Sequence, residues 1–257
     1  MEDKLNTDYK VGDLIYDANI YDGLNTFLSD FQFYRNWMPK LSNTKVLELC
    51  CGSGRLTIPL AKSGVNISGL DNSKTMLAKA KLLAQGEGLL IEFIEADIRN
   101  FDLGNKFDLV FIPFNSIHHL YQNQDLFSVL ENVMKHLKDD GLFIFDCYNP
   151  NMDYIIASEK VKIEIAEYKT IDGRKVKIEQ SMKYEYNTQI NRIKWHYFIN
   201  NKFNSIQNMD MRLYFPQELD SYLKLNGFDV LQKFGNFNEV QFTDTSEKQI
   251  FVCKKSI

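Results

Sequence analysis

The spacing of apolar residues changes along this chain of 257 residues, and each change indicates a different kind of structure. Residues 24–38 carry apolar side chains at intervals of three and four, which predicts an amphipathic helix packed against an apolar surface. From residue 45 onward, short apolar runs alternate with helical patterns, until a period of two takes over in residues 161–213. The alternation of short runs and helices returns in residues 214–257.

The short apolar runs define the fold class. They predict seven strands, over residues 45–49, 66–70, 90–95, 107–112, 142–147, 228–233 and 249–254. Helices are predicted over residues 56–62, 74–85 and 124–137 and from Pro216 onward. Short strands that alternate with helices require a parallel sheet with right-handed crossovers and helices on both faces. We therefore expect a doubly wound, mostly parallel, seven-stranded α/β fold.

The region with a period of two is an insertion in this pattern. Its apolar residues keep one parity within each run, and Asp172–Gly173 and two asparagine-rich breaks supply turns. These features predict an antiparallel β-meander with one covered face. We expect the meander to cover the active site, with its other face as a candidate homodimer surface. Its aromatic residues either line a pocket or form core, and core is favoured; they are Tyr184, Tyr186, Trp195 and Tyr197.

The predicted elements divide the chain into three parts. These are an N-terminal helical segment over residues 1–40 that covers the active site, a main α/β domain over 41–158 and 214–257, and an inserted sheet over 159–213.

Composition narrows the classes of partner. The net charge of −4 and the isoelectric point near 5.7 give no basic footprint for a phosphate backbone, so nucleic acid is not expected as a partner. The sequence starts with polar residues and has no apolar stretch of bilayer length, so we expect a cytoplasmic protein without a membrane partner.

The cysteines indicate neither a metal site nor a redox site. Cys50, Cys51, Cys147 and Cys253 form no C-x-x-C pair, and no histidine lies at zinc-ligand spacing from them. We expect no metal, and we interpret the adjacent Cys50 and Cys51 as small, partly buried side chains.

Candidate chemistry lies at the ends of the predicted parallel strands, where open α/β sheets bind ligands. The first strand leads into Gly52 and Gly54, but Thr57 stands where a dinucleotide-binding fingerprint has its third glycine. Asp71 ends the second strand, about 20 residues further on, where a carboxylate can bind ribose hydroxyls. A ligand with a ribose and no pyrophosphate fits this pattern better than a dinucleotide.

Five segments in this order resemble the motifs of class I S-adenosylmethionine-dependent methyltransferases. The segments are VLELCCGSGRLTIPLAKSG, SGLDNSKTMLAKAK, FIEADIRNFDL, FDLVFIPFNSIHHL and DDGLFIFD. The resemblance runs from about residue 21 to residue 146 and resumes with YFPQELDSYLKLNGFDV. It implies a Rossmann-like fold and S-adenosyl-L-methionine as the cofactor. The implied cofactor-binding residues are Tyr21, Glu48, Cys50, Gly52, Gly54, Arg55, Asp71, Asn72, Met76, Asp97, Ile98, Phe114 and Asn115.

By this resemblance, Glu48, Gly52 and Gly54 shape the methionine end of the site, and Asp71 binds the ribose. Cys50 stands where the family commonly has glycine. Asp71 also has the alternative role of capping the following helix.

The resemblance further implies that Asp97 and Ile98 meet the adenine and that Phe114 and Asn115 lie beside the sulfonium. Asp97 is alternatively an ordinary loop residue. Arg55 either binds a carboxylate or lies on the surface.

Methyl transfer from a sulfonium is an in-line displacement, and it needs a base only where the nucleophile carries a proton. His118 and His119 follow the fourth strand and are candidate bases, with His119 preferred; the alternative is a loop histidine that only packs. Tyr21 resembles the tyrosine that many small-molecule methyltransferases fold over the cofactor, with Tyr16 as the competing choice.

We therefore expect a methyltransferase that acts on an N or O nucleophile of a small molecule, with N slightly favoured. Similar inserts in N-methyltransferases point by analogy to an amino sugar or another secondary metabolite. The alternatives are a nicotinamide-dependent oxidoreductase and a non-catalytic protein that binds S-adenosylmethionine.

Overall fold

A computed structural model describes Ile20, Leu24 and residues 28–38, 44–170 and 172–256. Twelve strands occur there: β1 (Val46–Leu49), β2 (Ile67–Asp71), β3 (Glu92–Glu95), β4 (Phe107–Ile112), β5 (Leu137–Tyr148), β6 (Ile163–Lys169), β7 (Lys175–Glu185), β8 (Ile190–Ile199), β9 (Lys202–Asn208), β10 (Met211–Arg212), β11 (Phe228–Phe234) and β12 (Lys248–Lys255).

The same described residues contain six α-helices and a 3-10 helix, Ser116–His119. The α-helices are α1 (Phe31–Trp37), α2 (Thr57–Lys62), α3 (Lys74–Gly86), α4 (Asn123–His136), α5 (Met152–Ser158) and α6 (Pro216–Leu225).

The chain forms two compact units. The main unit is Phe27–Pro150 with Tyr214–Ile257, and the inserted unit is Asn151–Leu213 with Ile20 and Leu24.

The main unit is built on a seven-stranded sheet in the order β11-β12-β5-β4-β1-β2-β3. Strands β1 to β5 are parallel, and β12 runs antiparallel to both β5 and β11. The order reverses beside β1, since β2 and β3 lie on one side of it and β4 and β5 on the other. This topology confirms the doubly wound, mostly parallel sheet predicted from the sequence.

Helices cover both faces of this sheet because its buried residues alternate in direction. On one face, Leu47, Val110 and Phe143 pack with residues of α4 and α6. On the other, Val46 and Phe111 pack with residues of α1 and α2. The main core thus holds β1 and β4, whose carboxyl ends flank the reversal of strand order.

Helices α3 and α6 begin at residues whose side chains are typical of helix starts. The Ser73 hydroxyl accepts a hydrogen bond from the Met76 amide, 3.4 Å away, where α3 begins. Pro216 opens α6, and the Glu218 carboxylate accepts a hydrogen bond from the Phe215 amide. The predicted start of this last helix at Pro216 agrees with the structure.

The inserted unit contains an antiparallel sheet in the order β10-β8-β7-β6, with β9 also paired to β8. Alternate residues of β7 are buried, as the period of two predicts. Asn200 and Asn201 both have a left-handed backbone in the turn between β8 and β9. Tyr184 and Tyr197 are buried in this unit, whereas Tyr186 is exposed.

Two features differ from the sequence expectations. The helix predicted over 24–38 is interrupted, because a turn at residues 29–30 precedes α1 at Phe31. Asp30 in that turn is buried in contact with Arg55, which directs the chain inward before the helix begins. Helix α5 was not predicted from the sequence, and it lies within the inserted unit.

In the described part of the chain, no helix combines the length and the apolar character needed to span a bilayer.

Two glycines allow a test of how tightly the turn after β1 is packed. Gly54 and Gly64 have similar left-handed φ values of 85° and 88°. A Cβ on Gly54 would lie 2.9 Å from Ile58 Cδ1, whereas nothing lies within 4 Å of one on Gly64. We expect Gly54→Ala to lower the free energy of unfolding by about 1 kcal/mol more than Gly64→Ala does, because both variants share the backbone cost and only one is crowded. Urea unfolding of the two variants measures this difference, and equal losses would contradict it.

Candidate active site

The turn after β1 brings the backbone into a sharply curved path at the carboxyl edge of the sheet. Cys50, Gly52 and Gly54 all have positive φ, at 59°, 54° and 85°. Cys50 therefore adopts the left-handed backbone that glycine favours, so its side chain does not alter the course of the turn. The turn closes with a hydrogen bond from the Gly54 amide to the Cys51 carbonyl, 2.9 Å long.

Asp71 lies at the end of β2, beside this turn. Its Oδ2 accepts a hydrogen bond from the Gly52 amide at 2.8 Å, and its Oδ1 accepts one from the Ser73 amide at 2.8 Å. Burial raises the pKa of Asp71, although these amides oppose the shift. Each carboxylate oxygen keeps capacity for a further hydrogen bond. Asp71 therefore both fixes the turn and retains acceptors for hydroxyl groups.

Asn72 and Met76 follow Asp71 into α3. Asn72 is exposed and Met76 is buried. A Cβ on Gly52 would lie 3.5 Å from Met76 Cε, so the thioether side chain adjoins the glycine turn.

Glu48 and Arg55 lie at the two ends of the β1 turn. Glu48 is buried and accepts a hydrogen bond from the Thr57 hydroxyl. The Arg55 guanidinium binds both carboxylate oxygens of the buried Asp30, at 2.8 and 2.6 Å, and lies 4.6 Å from the centre of the Phe114 ring. Arg55 is thus not a free surface residue. The carboxylate it binds in this structure is that of Asp30.

Burial raises the pKa of Glu48 to about 8, although the Thr57 hydroxyl and Arg55 favour the ionised form. Thr57 itself is fully buried at the position where a dinucleotide-binding turn has its third glycine.

Asp97 and Ile98 follow β3. Asp97 is partly exposed and forms an ion pair with Arg99, whose Nη2 lies 2.6 Å from Oδ2. The hydrogen bond from Arg99 lowers the pKa of Asp97. Arg99 also pairs with Asp125 on α4 at 3.1 Å. Ile98 is buried in the main core. The Asp97 carboxylate is therefore held at this edge as an anion.

The loop after β4 contains two consecutive left-handed residues, Phe114 and Asn115, both with φ of 61°. The Phe114 amide donates to Asp146 Oδ1 at 2.8 Å, and Lys248 Nζ donates to Asn115 Oδ1 at 2.8 Å. Asp146 is the last but two residue of β5, and Lys248 begins β12. Neither was predicted as a site residue.

The two neighbouring histidines have different surroundings. His118 is fully buried, its Nε2 accepts a hydrogen bond from the Tyr148 amide at 3.0 Å, and its ring is stacked with Tyr148 and Tyr214. His119 is only partly buried, and its ring lies edge-on to Tyr121. The structure therefore gives His118 the environment of a core histidine.

Some site residues escaped the sequence analysis, and some predicted ones cannot be placed. Tyr21 and the competing Tyr16 lie outside the described residues. Asp30, Asp146 and Lys248 were missed. Asp146 had a usable signal, because it is an acidic residue close to the carboxyl end of the strand predicted over 142–147.

Comparisons with known proteins show similarity to methyltransferases. Residues 46–141 match the family model described as a methyltransferase domain. A methyltransferase homologue from Geobacillus sp. (strain WCH70) is 27% identical over 217 residues, which cover 82% of this chain and 84% of the homologue.

Two solved structures share the fold over nearly the whole chain. An S-adenosylmethionine-dependent methyltransferase from Clostridium acetobutylicum has a TM-score of 0.75 at 22% identity and covers 94% of this chain and 98% of its own. The sugar N-methyltransferase KedS8 from Streptoalloteichus sp. has a TM-score of 0.75 at 18% identity, with 97% and 95% covered.

Residues 46–141 therefore match a methyltransferase domain, and these findings support the class I S-adenosylmethionine-dependent methyltransferase predicted from the motifs. Its cofactor is S-adenosylmethionine.

The residues present fit this cofactor. Asp71 offers acceptors of the kind that ribose hydroxyls need, and the neighbouring Gly52 has no side chain of its own to keep a ligand from its backbone. The buried carboxyl of Glu48 is an electrostatically suitable neighbour for the positive charges of the cofactor, since a nearby cation would favour its ionised form.

The raised pKa of Glu48 has a consequence for stability. An unfolded Glu has a pKa of about 4.3, whereas burial raises the pKa of Glu48 in the folded protein to about 8. The folded protein therefore holds an extra proton between these two pH values, and the stabilising contribution is lost as the pH rises through the higher one. We expect the free energy of unfolding to fall over this range, and Glu48→Gln to make the fall shallower by a few kcal/mol at most.

Urea unfolding at a series of pH values measures this effect. Glu131→Gln is the matched control, because Glu131 is an exposed residue of α4. Identical pH dependence in the wild type and Glu48→Gln would show that Glu48 is not the titrating group.

Proposed function

We propose that the turn after β1 and the ends of β2, β3 and β4 bind S-adenosylmethionine, and that the chain transfers its methyl group to a nitrogen of a small molecule. Asp71 carries this proposal. Its carboxylate is held at the β2 end by the Gly52 and Ser73 amides, beside a backbone turn that only left-handed residues allow. In this assignment Asp71 binds the ribose, Gly52 and Gly54 allow close backbone approach, and Glu48 faces the methionine end.

The remaining predicted residues complete the assignment. Asp97 and Ile98 meet the adenine edge, with the Asp97 anion kept ionised by Arg99. Arg55 binds Asp30 and lies against the Phe114 ring, so it holds these two residues together at the methionine end of the site. Cys50, Asn72 and Met76 line the turn, and Tyr21 stays a prediction outside the described residues.

When bound, S-adenosylmethionine supplies a methyl group on a positively charged sulfur. The chain's own contribution is to hold the nucleophile and this group in line at near-attack distance. Phe114 and Asn115 are suited to this, because hydrogen bonds to Asp146 and from Lys248 fix their backbone and side chain. Positioning of this kind accounts for much of the rate in an in-line displacement.

A nitrogen nucleophile of an amino sugar or a related metabolite is the acceptor class we favour. The fold shared with the sugar N-methyltransferase KedS8 extends over 97% of this chain, which includes the inserted sheet. If the amine binds as an ammonium ion, it must lose a proton before its nitrogen can attack the methyl group, and this assigns a role to a base.

His119 is the candidate base, in preference to His118. His118 uses Nε2 to accept the Tyr148 amide and is enclosed by two tyrosine rings, so its role is to hold the end of β5. His119 lies next to it in the same 3-10 helix and is partly exposed. The covering role of the inserted sheet, its use as a dimer surface and the role of the N-terminal segment stay predictions.

The remaining alternative is a non-catalytic protein that binds the cofactor, and an assay of methyl transfer distinguishes it from an enzyme. The nicotinamide-dependent oxidoreductase is disfavoured, since Thr57 is buried against Glu48 where a dinucleotide turn needs glycine.

Calorimetric titration with S-adenosylmethionine, S-adenosylhomocysteine and NAD tests the ligand assignment. We expect both adenosyl ligands to bind, and Asp71→Ala to weaken them about 100-fold, because two charge-assisted hydrogen bonds to the ribose are lost. Asp102→Ala removes an exposed carboxylate at the surface and is the matched control. Binding of NAD alone, or unchanged affinity in Asp71→Ala, would overturn the assignment.

Turnover with a panel of small amines, amino sugars and hydroxyl compounds tests the catalytic role of His119. Once an acceptor is found, we expect His119→Ala to slow methyl transfer at least about 100-fold while cofactor affinity stays the same. Gln124→Ala, an exposed change at the start of α4, is the control. If His119→Ala turns over at the wild-type rate, His119 is not the base.

A further inference from the structure

Lys248 lies at the same edge of the sheet as the proposed methyl-transfer site, although it belongs to the start of a strand. Because β12 runs antiparallel to β5, its amino end lies beside the carboxyl ends of the parallel strands. Lys248 is paired with Tyr148 in this register, and its ammonium lies 4.8 Å from the Tyr148 ring centre and 5.2 Å from that of Phe237. Two aromatic rings therefore shield the charge.

The ammonium of Lys248 joins two groups of the site. Nζ lies 2.8 Å from Asp146 Oδ2 and 2.8 Å from Asn115 Oδ1. The Asp146 side chain is fully buried, and that of Lys248 is 18% exposed. Burial alone would lower the pKa of Lys248, but the Asp146 carboxylate raises it, so the ion pair persists at neutral pH.

The second oxygen of Asp146 is also fully used. Oδ1 accepts hydrogen bonds from the Phe114 amide and from the Tyr34 hydroxyl, both at 2.8 Å. One buried carboxylate thus ties together α1, the loop after β4, and the first residue of β12. Lys248 neutralises that carboxylate, and its removal would leave an uncompensated charge in the core.

The contact with Lys248 also fixes the direction of the Asn115 amide. Lys248 can only donate, so the oxygen of Asn115 faces it and the NH2 group faces away. In the ranges that the structure covers, no group accepts a hydrogen bond from this NH2. Asn115 is nevertheless buried, with 5% of its surface exposed. Two fixed donors are therefore available at the end of β4 for an acceptor atom of a ligand.

We propose that Lys248 is a positioning residue for methyl transfer: through Asn115 and Asp146 it holds the left-handed loop at Phe114 and Asn115 and presents the Asn115 NH2 group to the bound ligands. The inference rests on the proposed function, because it assumes that Asn115 faces the cofactor and its acceptor. Lys248 acts through Asn115 and does not itself contact a reacting atom.

The first test separates positioning from stability. Lys248→Met should weaken S-adenosylmethionine and S-adenosylhomocysteine binding about 10-fold and should lower the melting temperature, since the buried Asp146 loses its partner. Asp146→Asn in the Lys248→Met background removes the unpaired charge. We expect this double variant to regain most of the melting temperature without regaining affinity. Lys248→Arg should bind within a few-fold of wild type, and Lys254→Met at the other end of β12 is the control.

A double-mutant cycle tests the route of the effect. If Lys248 acts through Asn115, then Asn115→Ala with Lys248→Met should bind the cofactor no more weakly than Asn115→Ala alone. The proposal would be overturned if the losses of affinity in Asn115→Ala and Lys248→Met multiplied in the variant that carries both. It would also be overturned if Asp146→Asn in the Lys248→Met background restored affinity together with stability.

Amide hydrogen exchange of residues 114–118 gives a readout that needs no ligand. We expect faster exchange in Lys248→Met than in wild type, because Asp146, which accepts the hydrogen bond of the Phe114 amide, is no longer held in place by Lys248. Unchanged exchange would contradict the positioning of this loop by Lys248. If wild type bound neither adenosyl ligand while exchange still increased, the proposed function would fail and the control of the loop by Lys248 would be supported.

Discussion

The direction of the parallel strands is the constraint on which the rest of this site depends. Strands β1 to β5 all end at one edge, and the chain must leave β1 and β4 sharply where the strand order reverses. Left-handed residues therefore collect there, at Cys50, Gly52 and Gly54 after β1 and at Phe114 and Asn115 after β4. The backbone that makes these turns is also the backbone that a ligand can approach most closely.

The same edge gathers more buried carboxyl groups than cations. Asp30 and Asp146 are balanced by Arg55 and by Lys248, respectively. Burial raises the pKa of both Glu48 and Asp71. The Thr57 hydroxyl and Arg55 oppose this shift only in part at Glu48, and backbone amides oppose it only in part at Asp71. Such a site favours a ligand with positive charge and with hydroxyl groups, and S-adenosylmethionine has both.

Much of this arrangement was predictable because local patterns specify it. Apolar runs gave the strands, and acidic residues directly after them, such as Asp71 and Asp97, were candidates by position alone. The period of two in the inserted sheet was equally direct, since a meander buries alternate residues. What escaped prediction depends on contacts distant in sequence. Nothing near Lys248 or Asp30 indicates that a partner lies far away in the chain, and no periodicity separates His118 from His119, which differ only in what surrounds them.

Left-handed conformations at residues other than glycine persist only where the surroundings hold them, because each costs free energy. The loop after β4 is held by Tyr34, Asp146 and Lys248, which come from three separate segments of the main unit. The shape of the loop therefore depends on contacts with β12 and with the end of β5. The geometry of the proposed transfer site is thus a property of the completed fold. This is how a fold provides positioning for a reaction whose chemistry resides mainly in its cofactor.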